Sequence, residues 1–169
     1  ASIARKMHDA DQGDFSTRQA HYLCEQALAQ IAQGDLPAAR ALLDQAIAAA
    51  PQAARARIEL ARLQRLMGQS DAVIATLKTM NAHNPASLPL AAQLMVEAAL
   101  ATNRAEEVKA LLQAHYTQAP SLDVLESLVG IELADEATRD TARQRYVQHL
   151  DKEASLVAAT KWLADEKLA

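Results

Sequence analysis

Four arginines on a single predicted helix, at positions 55, 57, 62 and 65, are the side chains best suited to bind a ligand. Arg55, Arg62 and Arg65 are separated by seven and three residues, so they share one side of an α-helix. The planar guanidinium group binds carboxylates through two parallel hydrogen bonds. The spacing is therefore consistent with a surface for an acidic segment of another protein, and equally with a helix face that contacts only water.

The neighbouring predicted helices carry four further polar or reactive side chains on the corresponding face: His21, Cys24, Gln93 and Glu97. Together with the three arginines, we predict that they line a groove for a protein partner. His21 and Cys24 are three residues apart and could bind a metal ion as a pair. A structural zinc site needs four ligands, however, and the chain has a single cysteine. We therefore predict groove-lining or core positions for both residues, with no metal site and no cofactor.

Short motifs that carry catalysis, such as G-x-S-x-G, H-E-x-x-H and the P-loop, do not occur in the sequence. Two acidic pairs, at 106–107 and 135–136, lie at predicted helix starts, where the helix dipole favours negative charge without any catalytic role. We predict that the chain has no catalytic residues and is not an enzyme.

The composition narrows the function further. The net charge is -4, which argues against a general nucleic-acid binder, since such proteins are normally basic. No stretch approaches the run of about 18 apolar residues that a membrane-spanning helix requires. Half of the 169 residues are apolar, only 3% are aromatic, and runs of β-branched residues are missing. These features indicate one helical domain with its own core.

An interval of 34 residues recurs along the chain. It separates Gly34 from Gly68, Pro51 from Pro85, and Ala27 from Ala61. This period is typical of tetratricopeptide-type helical repeats, in which each repeat is a helix–turn–helix unit. The pattern predicts an all-α, right-handed superhelix of about three repeats plus terminal helices, and such arrays commonly hold other proteins.

The turn residues divide the chain into units. We predict the end of a preceding helix and a polar linker over residues 1–15, and a repeat domain over 16–169. Its repeats cover about 20–53, 54–87 and 88–122, followed by a degenerate repeat and a capping helix at 123–169. We expect turns at Gly34, Gly68 and Asn103, and helix caps at these serines: Ser16, Ser70, Ser87, Ser121 and Ser155.

Three stretches resemble the lipopolysaccharide assembly protein B family (LapB, also called YciM). They are the segment from His21 to Pro51, with its H-x-x-C-E-x-A-L start and its QGDLPAAR turn, NPASLPLAAQLMVEA at 84–98, and APSLDVLESLV at 119–129. The resemblance implies a cytoplasmic repeat array on a protein anchored in the bacterial inner membrane. It further implies a separate four-cysteine metal domain and a role in restraining lipopolysaccharide synthesis. Members are implied to act by delivering the deacetylase LpxC to the FtsH protease.

On this reading the chain is a piece of the repeat array that lacks both the anchor and the four-cysteine domain. Its preferred function is that of a non-catalytic adaptor. Two alternatives stay open: a repeat region accessory to an N-acetylglucosaminyl-transferase-like enzyme, and an oligomerisation module that forms a homodimer.

Overall fold

The computed structural model describes the backbone of residues 2–134 and 137–153, and the side chains of residues 15–134 and 137–148. Within these ranges the chain forms α-helices and one short 3-10 helix. In chain order they are α1 (Ser2–Gln33), α2 (Leu36–Ala49), α3 (Ala54–Leu66), α4 (Ser70–His83), the 3-10 helix Pro85–Ala91, α5 (Ala92–Ala101), α6 (Ala105–Gln118), α7 (Leu122–Leu133) and α8 (Arg139–Glu153).

Consecutive helices pack as hairpins: α1 with α2, α3 with α4, α5 with α6, and α7 with α8. The hairpins stack in order, because α1 contacts α3, α3 contacts α5, and α5 contacts α7. We call α1, α3, α5 and α7 the A helices and their partners the B helices. The described part of the chain is thus an all-α stack of the kind predicted from the 34-residue interval.

The turns between A and B helices confirm the sequence prediction. Gly34, Gly68 and Asn103 have positive φ angles of 84°, 71° and 56°. Each turn is closed by the same backbone hydrogen bond across the helix end, namely Asp35 to Gln30, Gln69 to Gln64 and Arg104 to Ala99. Because the left-handed conformation is cheap only for glycine and, to a lesser extent, asparagine, these positions determine where each A helix stops.

Small residues allow the two helices of a hairpin to approach closely. Ala27 and Ala39 lie in one buried cluster, and Ala61 and Val73 lie in the next. Larger residues of the B helices are fully buried in the space that remains: Leu43, Leu77 and Leu112. Small and large side chains together thus form the core of the stack.

The predicted break before the first repeat is wrong. We expected the end of a preceding helix and a polar linker within residues 1–15, and a helix cap at Ser16, but α1 is continuous from Ser2 to Gln33. No proline occurs in this stretch, and a single Gly13 costs a helix only about 1 kcal/mol. The division of the whole chain into repeat and linker segments remains a prediction.

Two of the predicted serine caps are also wrong, and one is confirmed. Gln69, not Ser70, precedes α4, and no side chain caps that helix. Ser87 lies inside the 3-10 helix, since the ring of Pro89 would clash with the carbonyl of Pro85 in an α-helix. Ser121 does cap α7, because its Oγ accepts from the Val124 N–H at 3.4 Å.

The last helices agree with prediction in part. The sequence predicts a degenerate repeat within 123–169, and the structure has α8 at Arg139–Glu153 after α7. The final capping helix, with Ser155 and Trp162, lies outside the described residues. Among the helices that the structure describes, none has both the length and the apolar run needed to cross a bilayer.

Candidate partner-binding face

The exposed side of the first three A helices gathers six of the seven predicted site residues. We call it the A-helix face and define it by the exposed polar side chains of α1, α3 and α5: His21, Glu25, Arg55, Arg62, Arg65, Gln93 and Glu97. Because neighbouring A helices stack side by side, residues about one repeat apart come together on this face.

Arg55 joins α1 to α3. Its Nη1 donates to His21 Nδ1 at 3.0 Å, and its Nη2 donates to Glu25 Oε1. The hydrogen bond to Glu25 is the main reason that the pKa of Arg55 rises above its ordinary value. The pair remains accessible, with 35% of the Arg55 side chain and 62% of the Glu25 side chain exposed.

Arg65 joins α3 to α5 in the same way. Its Nη1 donates to Glu97 Oε2 at 2.9 Å, and the Gln93 amide lies 3.5 Å from the other oxygen of the same carboxylate. Both partners are accessible, with 59% of the Arg65 side chain and 44% of the Glu97 side chain exposed. The two ion pairs thus connect three consecutive A helices across their exposed side.

Arg62 has a partner of a different kind. Its Nη1 donates to Glu59 Oε1 at 3.0 Å, one turn earlier on the same helix. Only 10% of the Glu59 side chain is exposed, so this carboxylate belongs to the helix packing rather than to the surface. Arg62 therefore lies between the two interhelical pairs and contacts a carboxylate of its own helix.

Cys24 is the predicted site residue that does not reach the face. It is 1% exposed and lies in the buried cluster that contains Ala27 and Ala39. Burial raises the pKa of its thiol. Cys24 was predicted to lie either in the groove or in the core, and the structure places it in the core.

Arg57, the fourth arginine of the cluster, is also buried. It donates to the backbone carbonyl of Pro51, and burial lowers its pKa. This arginine therefore stabilises the connection between α2 and α3 and is not part of the A-helix face.

The A-helix face alternates in charge. Arg55, Arg62 and Arg65 each contact a carboxylate of the chain itself, so they do not form a patch of free positive charge. In the described part of the chain, no three His, Cys, Asp or Glu side chains lie close enough to hold a metal ion together. The arrangement suits the binding of polar and charged groups.

Sequence reasoning missed the carboxylates that pair with Arg55 and Arg62. Glu25 and Glu59 are 34 residues apart, and Gln93 follows at the same interval. The exposed Leu66 and Leu100, in the last turns of α3 and α5, are also 34 residues apart. The 34-residue interval applies to these exposed positions as well as to the core, so it could have identified them from the sequence.

Comparisons with known proteins agree with this architecture. Residues 30–97 match the family model described as "Tetratricopeptide repeat". No curated protein sequence matches the chain.

Two similar solved structures share the fold at low sequence identity. The first tetratricopeptide domain of Spaghetti (RPAP3), bound to the HSP90 peptide SRMEEVD, is 18% identical with a TM-score of 0.55, covering 70% of this chain and 94% of that one. MamA is 16% identical with a TM-score of 0.60, covering 89% of this chain and 84% of that one.

These similarities establish the fold, whereas the narrower resemblance to the LapB family rests on the sequence motifs alone. The described part of the chain is an all-α solenoid with a tetratricopeptide-like fold, and residues 30–97 are similar to the tetratricopeptide repeat.

Proposed function

We propose that the chain is a non-catalytic scaffold whose A-helix face binds a segment of a partner protein. The observation that carries this proposal is the continuity of the face. Three consecutive, packed A helices present exposed, hydrogen-bonding side chains, and ion pairs connect these helices across the hairpins. A rigid surface loses little conformational entropy when a segment binds to it.

Apolar side chains beside the charged ones support the same proposal. Leu66 follows Arg65 in the last turn of α3, and Leu100 occupies the last turn of α5 one turn after Glu97. Both leucines are exposed although the helices around them bury most of their apolar residues. A bound segment would cover these leucines while its polar groups reach the ion pairs.

The Spaghetti domain provides a precedent for the fold. That protein is bound to a heptapeptide, SRMEEVD, that contains two glutamates and one aspartate. Peptide binding is therefore compatible with a helical stack of this type, and we extend it to the present chain as part of the proposal.

The sequence motifs shared with the LapB family suggest which partners the scaffold serves. We propose that it regulates lipopolysaccharide biosynthesis at the cytoplasmic side of the bacterial inner membrane, by bringing LpxC to the FtsH protease. The chain would need neither a cofactor nor a nucleic acid for this role, since the work consists of holding two proteins together.

Binding of purified LpxC tests the proposal. The wild-type chain should bind, and Arg62→Glu with Arg65→Glu should weaken binding at least tenfold, because both changes reverse charge at the centre of the face. The matched control reverses one cation on α4 and one in the residue preceding α6, Lys78→Glu with Arg104→Glu, and should bind like wild type. Circular dichroism should show that all three chains are equally helical.

Different failures have different meanings. Absence of LpxC binding to the wild-type chain would contradict the role in lipopolysaccharide regulation. Equal losses in the two double variants would contradict the assignment of binding to the A-helix face.

A further inference from the structure

The two interhelical ion pairs of the A-helix face differ from the pair between them. Glu25 and Glu97 are exposed carboxylates on α1 and α5, and each reaches an arginine on a neighbouring helix. Glu59 is buried and lies on the same helix as its partner Arg62. The first two carboxylates can turn towards solvent without disturbing the core, whereas the third cannot.

Exposed ion pairs contribute little to stability, because water and salt screen them and because ordering two long side chains costs entropy. A carboxylate from a bound segment would form the same charge-assisted hydrogen bonds with Arg55 and Arg65 that Glu25 and Glu97 form now. Replacing one carboxylate by another therefore costs the arginines nothing in hydrogen bonds.

We propose that the A-helix face selects an acidic segment, and that the carboxylates of this segment replace Glu25 on Arg55 and Glu97 on Arg65. This inference rests on the proposed function of the face. It names the chemical class of the partner and gives the two glutamates a role as intramolecular competitors, which keep the arginines in position and weaken the binding of the partner.

The distance between the two arginines sets the spacing of the acidic groups. They are ten residues apart on one helix, which corresponds to roughly 15 Å along its axis. An extended chain advances about 3.3 Å per residue, so acidic groups some four to five residues apart would reach both arginines. Arg62 lies between them and remains paired with Glu59, where it can meet a backbone carbonyl of the segment.

The test uses a fluorescein-labelled heptapeptide with an amidated C-terminus and glutamates at its second and sixth positions, four residues apart, and a control peptide in which both glutamates are glutamines. Fluorescence anisotropy measures the affinity for the wild-type chain and for the variant Glu25→Gln with Glu97→Gln. We expect the variant to bind the acidic peptide about three- to tenfold more tightly, because two weak competing pairs have been removed. The control peptide should bind both chains equally weakly.

A matched variant, Asp71→Asn with Glu107→Gln, removes two carboxylates from the interhelical pairs of α4 and α6. It changes the net charge of the chain by the same amount. If this variant also bound the acidic peptide more tightly, the gain would come from net charge alone, and the proposal would be overturned. Failure of the wild-type chain and of the Glu25→Gln, Glu97→Gln variant to bind the acidic peptide would also overturn it.

The outcomes separate this inference from the proposed function. If Arg62→Glu with Arg65→Glu abolishes partner binding while Glu25→Gln with Glu97→Gln brings no gain, the face binds its partner without exchange of carboxylates. If neither double variant alters binding, both proposals fail.

Discussion

Two sets of ion pairs that join neighbouring hairpins are built differently. On the A-helix face, Arg55 and Arg65 each have one carboxylate partner of their own. The other set lies on what we call the B-helix face, defined by four side chains of α4, of α6 and of the residue preceding α6: Asp71, Lys78, Arg104 and Glu107.

The B-helix face is a closed network. Glu107 accepts from Lys78 at 2.6 Å and from Arg104 at 2.8 and 2.9 Å, and Arg104 also donates to Asp71 at 3.1 Å. These hydrogen bonds, chiefly the one from Lys78, lower the pKa of Glu107. Displacing Glu107 from this network breaks three hydrogen bonds, whereas displacing Glu25 or Glu97 breaks only one ion pair. The comparison suggests that the B-helix face stabilises the stack and that the A-helix face is the one open to exchange.

The largest loss of stability should follow a substitution in the core beneath both faces. Leu77 is fully buried in α4, and Leu77→Ala should lower the free energy of unfolding by about 2–5 kcal/mol, since it removes buried apolar area and leaves a cavity. The helices that carry the two faces should unfold in a single transition in urea. Leu66→Ala, at an exposed position, is the matched control and should change stability by about 0.5 kcal/mol or less.

A smaller effect is expected at the turn that joins the two faces. Gly68 has a φ angle of 71° between α3 and α4, and a β-carbon there would meet no other atom. Gly68→Ala should therefore destabilise the chain through backbone strain alone, by about 1–2 kcal/mol. Gly130 lies within α7 without a positive φ angle, so Gly130→Ala should stabilise by about 0.4–1 kcal/mol. Equal effects of the two substitutions would contradict this account of the turn.

These turns also mark how far the sequence could predict the fold. Glycine and asparagine at intervals of 34 and 35 residues determine where the A helices stop, and small residues such as Ala27 and Ala61 determine how closely the helices pack. The sequence did not reveal that α1 is continuous, because its polar residues permit a helix without requiring one. It also did not reveal the 3-10 helix at Pro85–Ala91, because Pro89 changes the hydrogen-bond pattern only locally. The partners of the arginines were missed since they come from other hairpins, and only the stacking brings them within reach.

Acid should weaken the B-helix face in a defined range of pH. The pKa of Glu107 in the folded chain lies below its ordinary value of 4.5. The stabilisation from its hydrogen bonds is therefore complete at neutral pH and is lost as the pH falls through this lowered pKa. Thermal unfolding between pH 6 and pH 3 should show a shallower decline for Glu107→Gln and for Lys78→Met than for wild type. Identical slopes in all three chains would argue against the network.

The smallest expected effect concerns Cys24 beneath the A-helix face. Its thiol is buried and its pKa is raised, so the reactive thiolate is scarce and inaccessible. Alkylation by iodoacetamide at pH 8 should be at least tenfold slower in the folded chain than in urea. The Glu25→Gln, Glu97→Gln variant should show the same protection, because replacing these surface carboxylates leaves the core inaccessible to the reagent. Rapid alkylation of the native chain would instead place Cys24 on the open face.

The central claim, that a partner binds the A-helix face and not the B-helix face, is tested most directly by nuclear magnetic resonance of the arginine side chains. The ¹⁵N-labelled chain would be titrated with LpxC while the guanidinium signals are followed. We predict that the signals of Arg55, Arg62 and Arg65 shift together and saturate, and that the signal of Arg104 stays in place. A shift of Arg104 with the other three unchanged would contradict the account.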